Sequence, residues 1–416
     1  MQTQVRSAVA LAVATLAGIS LMAATGAQAQ TKGEVMHWWT SGGESAAVQE
    51  LATAFTKVGG QWIDSAVAGG EAARAAAINR IVGGNPPTAA MFNTSQQYLD
   101  IIKEGMLNDI DTVAAKEGWD KMLPAPIITS IKVNGHFYAA PVNIHMPSWF
   151  WYSKSAFAKA GITSEPQTAD ELFTVLDKLK AAGLVPLALG GQGWQENVTF
   201  YSWLAQAGGA DLYLKFFKDR DAAAINSPAF RKVLTDFKRL KTYTDAGSPG
   251  RNWNDATAML ITGKAGVQIM GDWAKGEFNN AKQVAGKDYG CFPGFGSKSP
   301  YIIAGDVFVF PRTKDPVAIK AQQMLATSMT SAATQVAFNN KKGSIPIRTD
   351  VDSAQMDLCA QTGLTIMKDR SRHLANPDAL LPPDVAGAVQ DTISKYWNNN
   401  QSVDDAVKAL QTAIKG

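Results

Sequence analysis

Cysteine and histidine are scarce, with two Cys and four His among 416 residues. His37, His136, His145 and His373 stand apart from one another and from Cys291 and Cys359, so no run has the ligand spacing of a zinc site. No Gly-x-Ser-x-Gly elbow, His-Glu metal helix or Gly-rich loop ending in Gly-Lys-Ser/Thr is present, which removes the usual signatures of serine hydrolases, zinc peptidases and phosphate loops. Basic runs are missing too. The formal net charge is only +3 and is spread along the chain, so no nucleic-acid partner is indicated. Past Gln30 no stretch approaches the roughly 20 apolar residues of a membrane span. Glycosidase chemistry needs two carboxylates flanking one bond, and although Glu44, Asp272 and Asp306 could converge, nothing marks one of them as a proton donor. The expectation is a protein without catalytic activity, metal or cofactor.

What is present begins with a leader. Arg6 precedes an apolar run from Ala8 to Ala24, and Ala27-Gln28-Ala29 offers the small-x-small pattern of a cleavage site. Residues 1–29 therefore read as a secretory signal peptide that exports the rest of the chain. Thr15, Gly18 and Ser20 interrupt the run, which argues against a permanent anchor, and no Cys at the cleavage site suggests lipid attachment. In an oxidising compartment Cys291 and Cys359 favour a disulfide over two buried thiols.

The remaining chain is long enough for two domains, and 46% hydrophobic against 18% charged residues suits a packed globular protein. It opens with three strand–helix units. Glu34–Trp39 reads as a strand; Ser41 with Glu44 fits a capping box, ahead of an apolar stripe of Val48, Leu51, Ala52, Phe55 and Val58. Trp62–Ala68, Gly69-Gly70 and an Ala-rich helix to about Val82 form the second unit. Thr88–Phe92 and a helix starting near Ser95 form the third. Such alternation predicts an α/β fold with mainly parallel sheets flanked by helices, with ligand binding outside the carboxyl ends of the strands. Trp38-Trp39, Gly69-Gly70 and Asn93-Thr94-Ser95 occupy those ends. A second α/β region has helices near 169–182 and 228–245 and a strand, Ala265–Met270, that ends at Gly271-Asp272-Trp273. Tyr301–Phe310 is strand-rich, and the C-terminus is mostly helical.

Several of the 11 Trp sit beside Gly or polar residues instead of within apolar runs. These include Trp38-Trp39 before Thr40-Ser41-Gly42-Gly43-Glu44, Trp194 in Gly193-Trp194-Gln195, Trp253 in Asn252-Trp253-Asn254, and Trp273 after Gly271-Asp272. A sugar has apolar C–H faces for an aromatic plate and a fringe of hydroxyls for amides and charged groups. Each Trp could instead anchor the core. Glu44 either closes the capping box or accepts from ligand hydroxyls, and Gly42-Gly43 favours close approach of a ligand to the backbone.

With those residues in view, the chain resembles the extracellular sugar-binding proteins of ABC importers, the class that includes maltose-binding protein, and within it the periplasmic glucose/mannose-binding branch. The likeness is carried by 37–44, Ala66-Val67-Ala68-Gly69-Gly70, Gly84-Asn85-Pro86-Pro87, Pro141-Val142-Asn143-Ile144-His145, 190–195, 249–254, the long run 268–278, and Lys342-Gly343-Ser344-Ile345-Pro346. It implies a monomer of two lobes joined by three crossings, with 30–141 and 302–344 in the N-terminal lobe and 142–301 and 345–416 in the C-terminal lobe. A monosaccharide such as glucose would lie in the cleft and pass to an inner-membrane permease. It also implies a site in which Trp38 and Trp39 stand at the first strand's end, Glu44 and Asp306 bind hydroxyls, Trp273 stacks on the ring and Lys342 donates. His145 and Trp194 would line the cleft from the C-terminal lobe. Two departures bear on the ligand. Glucose binders of this pattern have Lys where Asn93 stands, and a binding His where Asn376-Pro377-Asp378 stands, so a modified sugar, glycoside or small oligosaccharide is the alternative.

Overall fold

In the computed structural model, which describes residues 31–416, the first strand–helix unit is built as its caps require. The signal peptide expected at 1–29 lies outside the described residues. The Ser41 hydroxyl accepts the Glu44 N–H at 3.3 Å and the Glu44 carboxylate accepts the Ser41 N–H at 3.4 Å, a complete capping box for the helix Gly42–Lys57. Val48, Leu51 and Phe55 are buried along one face. Val58, expected in that stripe, is instead the C-cap and 53% exposed, because the chain turns away at Gly59 with φ of 90°.

The strands are β1 (Thr31–His37), β2 (Gly60–Ala66), β3 (Ala89–Phe92), β4 (Lys132–Val133), β5 (His136–Phe137), β6 (Ala139–Pro141) and β7 (Trp149–Ser153). They continue with β8 (Val185–Leu187), β9 (Ala265–Met270), β10 (Tyr289–Phe292), β11 (Tyr301–Ile303), β12 (Val307–Val309) and β13 (His373–Ala375). The first sheet has the order β2-β1-β3-β12-β6 and the second β10-β7-β9-β8. In the leading units the pairing is parallel, β1 lying beside β2 from Thr31↔Gly60 to His37↔Ala66 and beside β3 at Val35↔Ala89. Elsewhere it is mixed. β12 runs antiparallel to β3 and β6, and β7 antiparallel to β9 and β10. Parallel order is kept where a helix returns the chain over the sheet, and in the first sheet it is lost where β12 arrives from the other half of the molecule.

Three segments cross between the sheets side by side. Ile144 bridges Ile345, and His145 bridges Ala304. The strand expected over Tyr301–Phe310 is accordingly two strands. β11 pairs with β13, the chain crosses at Ala304–Asp306, and β12 enters the first sheet. At Gly305 an added Cβ would stand 2.9 Å from the Asn143 carbonyl, so the crossing segments are packed backbone to backbone. The third expected helix is also divided. A 3-10 turn at Ser95–Gln97 ends at Tyr98, with φ of −126°, before the short helix Leu99–Lys103.

One core cluster lies under the first sheet and extends to Trp149, Trp151 and Tyr289, while a second, rich in Phe and Leu, fills the space between β7–β10 and the helices of the C-terminal half. Cys291 on β10 is joined to Cys359 at the start of the helix Leu358–Met367, with a Cα–Cα separation of 6.2 Å. None of the described helices is long and apolar enough to cross a membrane. The disulfide closes a loop of 68 residues, for which chain entropy predicts about 4 kcal/mol of stabilisation. Replacing both cysteines by alanine is expected to lower the free energy of unfolding by up to that amount in denaturant titrations. An unchanged midpoint would show that the bridge adds nothing to stability.

Candidate functional site

Where the three crossings meet, one imidazole lies between two carboxylates. β9 ends at Met270, so Asp272 follows directly from the second sheet, while Asp306 directly precedes β12 of the first. His145 sits on the crossing between them. Its Nδ1 is 2.5 Å from Asp272 Oδ1 and its Nε2 is 2.7 Å from Asp306 Oδ2. All three side chains are buried. Burial by itself would push the imidazole's pKa down, but the Asp272 and Asp306 charges override it and hold the group protonated, with a pKa raised to about 9. Burial likewise opposes the Asp306 charge, and the imidazolium, with Lys342 and Asn143, still holds that carboxyl below its ordinary range. The remaining lone pairs are satisfied locally. The Met146 N–H donates to Asp272 Oδ2 at 3.0 Å, and Asn143 Nδ2 donates to Asp306 Oδ2 at 2.8 Å.

Asp306 extends this cluster toward the ends of β1 and β3. Asn93 Nδ2 donates to Asp306 Oδ1 at 2.8 Å, while Asn93 Oδ1 accepts from Arg74 Nη1 at 3.2 Å. The Arg74 guanidinium lies 5.5 Å from the centre of the Trp38 ring. Burial lowers the pKa of Arg74 from its usual value, against the raising influence of Asp378, Glu71 and Asp306. Gly69, with φ of 89°, opens the turn before this helix. An added Cβ at Gly70 would stand 3.2 Å from Arg74 Nη1 and 3.6 Å from Trp38 Cδ2, so the Gly-Gly pair leaves space for the guanidinium and the indole.

The other expected residues form adjoining groups. Trp273 is half-buried, edge-on to His145 at 5.3 Å, with Trp194 6.2 Å beyond it. Trp39 is buried among Phe308 and Phe338, deeper than a residue open to the strand end. Lys342 Nζ donates to Glu44 Oε1 at 3.0 Å and lies 5.7 Å from the Trp39 ring centre. Glu44 thus closes its capping box and binds a buried cation at once. The close neighbour of Gly42-Gly43 is protein. A Cβ at Gly43 would meet the Gly276 carbonyl carbon at 2.5 Å, and the Gly43 N–H donates to Glu277 Oε1 at 2.9 Å. The glycines admit the helix Ala274–Asn280, which corrects the expectation that they admit a ligand. Trp253 stands apart at the start of its own helix, where its carbonyl accepts from Gln268 Nε2 at 3.2 Å.

Sequence reasoning missed Arg74, Asp378 and the structural part played by Asn143. Arg74 is the one cation in the body of an Ala-rich helix before its last turn, and its position one turn after Gly70 was the available signal. Among the described residues no group of three or more His, Cys, Asp or Glu side chains is placed to hold a metal ion.

A profile described as bacterial extracellular solute-binding protein matches residues 39–335. A probable sugar-binding periplasmic protein of Brucella suis biovar 1 is 40% identical, covering 97% of this chain and 96% of its own. One of the same description from Rhizobium meliloti is 40% identical over 95% and 96%. In fold, the chain is similar to the bacterial solute receptor AcbH, with a TM-score of 0.78, 20% identity and coverage of 93% and 99%. Maltose-bound T. maritima MalE3 gives a TM-score of 0.76 at 19% identity over 92% and 99%.

The raised pKa of His145 makes stability depend on pH. Protonation favours the folded state, so this contribution is complete below the unfolded pKa of about 6.5. It is lost as pH rises through about 9. Denaturant unfolding between those limits should show the wild type losing on the order of 3 kcal/mol relative to His145→Gln. A difference that stays flat with pH would show that His145 is neutral in the folded protein.

Proposed function

The chain belongs to the bacterial extracellular solute-binding protein family, and on that premise we propose that it is the periplasmic capture component of an ABC sugar importer. Members of the family bind solutes, and the chain is a binding protein, not an enzyme. The observation that carries the sugar reading is the half-buried Trp273 beside the His145–Asp306–Asn93 cluster, an indole face flanked by groups that donate and accept. That pairing suits a pyranose, whose C–H face stacks while its hydroxyls are bonded at the edge. The names of the Brucella and Rhizobium relatives agree with it.

In this reading the N-terminal lobe comprises 30–141 and 302–344, and the C-terminal lobe 142–301 and 345–416. The first sheet draws its strands from the former segments, and the second from the latter. Trp38, Asn93, Asp306, His145, Trp273 and Trp194 line the cleft, with Trp39, Glu44 and Lys342 behind it. The ligand is glucose or a near relative, handed as a monomeric carrier's cargo to a membrane permease after export through the cleaved leader. A second reading, a modified sugar or small oligosaccharide, is favoured by Asn93, which is committed to Arg74 and Asp306 where glucose binders carry a Lys.

A thermal-shift screen over aldoses, glycosides and disaccharides identifies the ligand, since binding to the folded state alone raises stability. With that ligand, Trp273→Ala is expected to weaken binding by about 2 kcal/mol, roughly thirtyfold, from lost aromatic contact. Circular dichroism should be unchanged. Retained affinity would remove the stacking role, and a collapsed spectrum would make Trp273 a core residue.

Lobe closure is expected on the same grounds. Small-angle scattering should give a smaller radius of gyration with the saturating sugar than without it. An equal radius would exclude a hinge-bending carrier.

A further inference from the structure

Near Trp38 two opposite charges, Arg74 and Asp378, act on each other across the boundary between the halves without bonding. Among the described residues, Arg74 forms no ion pair and has a single protein partner, Asn93 Oδ1 at 3.2 Å. Asp378 lies in the short helix Pro377–Leu380, whose following residues Leu381 and Val385 belong to the second core. Its backbone is fixed on both sides. The Asp378 carbonyl accepts from Thr94 Oγ1 at 3.1 Å, and its N–H donates to Asn376 Oδ1 at 2.9 Å. Its carboxylate accepts no hydrogen bond from a described residue. One turn before Arg74, Glu71 accepts from Gln390 Nε2 at 2.8 Å, so the helix Gly70–Val82 meets the C-terminal segment along this edge.

We propose that Arg74 and Asp378 grip the saccharide from opposite sides of the cleft mouth, Arg74 donating to one hydroxyl and Asp378 accepting from its neighbour, and that the pair restricts the ligand to neutral sugars. The inference rests on the sugar-carrier function proposed for the chain and names the substrate class of that same site. A guanidinium carries five donors in a fixed fork, and most of those on Arg74 are uncommitted. A carboxylate with both oxygens unbonded is the complementary acceptor, and vicinal hydroxyls supply one acceptor and one donor side by side. Gly70 leaves the space that lets the guanidinium stand beside Trp38. The restriction to neutral ligands comes from the local charge. Asp306 is already paired with the protonated His145, and of the groups left at the mouth both Asp378 and Glu71 act on the single Arg74, so an added carboxylate on the ligand would meet two anions against one cation. Burial disfavours the charged form of Asp378, and the positive field of Arg74 works against that effect.

Titration calorimetry with D-glucose, D-galactose, D-xylose, D-glucuronate and D-galacturonate tests this on the full mature chain. The wild type is expected to bind a neutral aldose and to bind the matching uronate at least tenfold more weakly. Asp378→Asn and Arg74→Gln should each weaken the neutral aldose at least tenfold, with unfolding midpoints in the absence of sugar unchanged. If Asp378→Asn does not fold, Asp378→Glu and Arg74→Gln probe the same two contacts. Unchanged affinity in the variants, with wild-type binding intact, overturns the grip and leaves the carrier function standing. A uronate bound more tightly than its neutral counterpart overturns the charge argument. A wild type that binds no member of the panel, nor any glycoside or disaccharide of the thermal-shift screen, overturns the carrier function and this inference with it, whereas one that binds only a glycoside or disaccharide overturns this inference for simple aldoses alone.

Discussion

A protonated imidazole buried between two carboxylates holds the two sheets in register at their crossing point. Asp272 belongs to the end of β9 and Asp306 to the start of β12, and neither sheet alone contains both partners of His145. Burying such charges is expensive unless every one is paired and hydrogen-bonded, and removing one partner of a buried set typically costs about 3–5 kcal/mol. The Met146 N–H and the Asn143 amide complete the set. Position is then passed outward from one side chain to the next. His145 and Asn143 orient Asp306, Asp306 orients the Asn93 amide, and Asn93 orients the guanidinium that lies over Trp38. A change at the crossing is therefore transmitted to the mouth of the proposed cleft without touching it.

The contacts between halves differ in kind from inside to outside. At the crossing they are charged and buried. Farther out, Thr94 to Asp378 is a single part-buried polar bond and Glu71 to Gln390 an exposed one, the latter of the sort that water or hydroxyls replace at little loss. Between these extremes stands the helix contact at Gly43 and Gly276, close enough to exclude a methyl group. Bending at the inner contacts and exchange at the outer ones fit a molecule that opens at its mouth and keeps its pivot intact.

Much of the fold was legible because local rules were obeyed. The capping box at Ser41 and Glu44, the apolar spacing through Phe55, and the turn at Gly69-Gly70 are decided within a few residues of chain. The division of 301–310 into β11 and β12 was not legible, since no local signal separates the two and only partners far away in sequence, at β13 and β3, divide them. The candidate site divides in the same way. Trp273 stood out by residue type beside a strand end, while His145 and Asp306 came to notice as site residues only through the family resemblance. Arg74 and Asp378 did neither, because the charges that set them apart come partly from far along the chain, Asp306 and Asp378 acting on Arg74 and Arg74 on Asp378, and a lone Arg in an Ala-rich helix looks like a solvated charge. Glu44 and Lys342 were read as hydroxyl-binding groups, yet they are bonded to each other across 298 positions, a pairing no local pattern encodes.

The place of β12 between β3 and β6 has a consequence for how the protein is made. Asn93, at the end of β3, meets Asp306, at the start of β12, across a separation of 213 residues. Until that later segment emerges, β3 and β6 have unpaired edges and the first sheet is two fragments. At roughly 5–20 residues per second, synthesis leaves those edges waiting for some tens of seconds. The first sheet is therefore finished only when the chain is available through β12. For the exported carrier proposed above, that delay keeps the chain open for passage through a membrane, because the topology itself withholds the last strand of the first sheet.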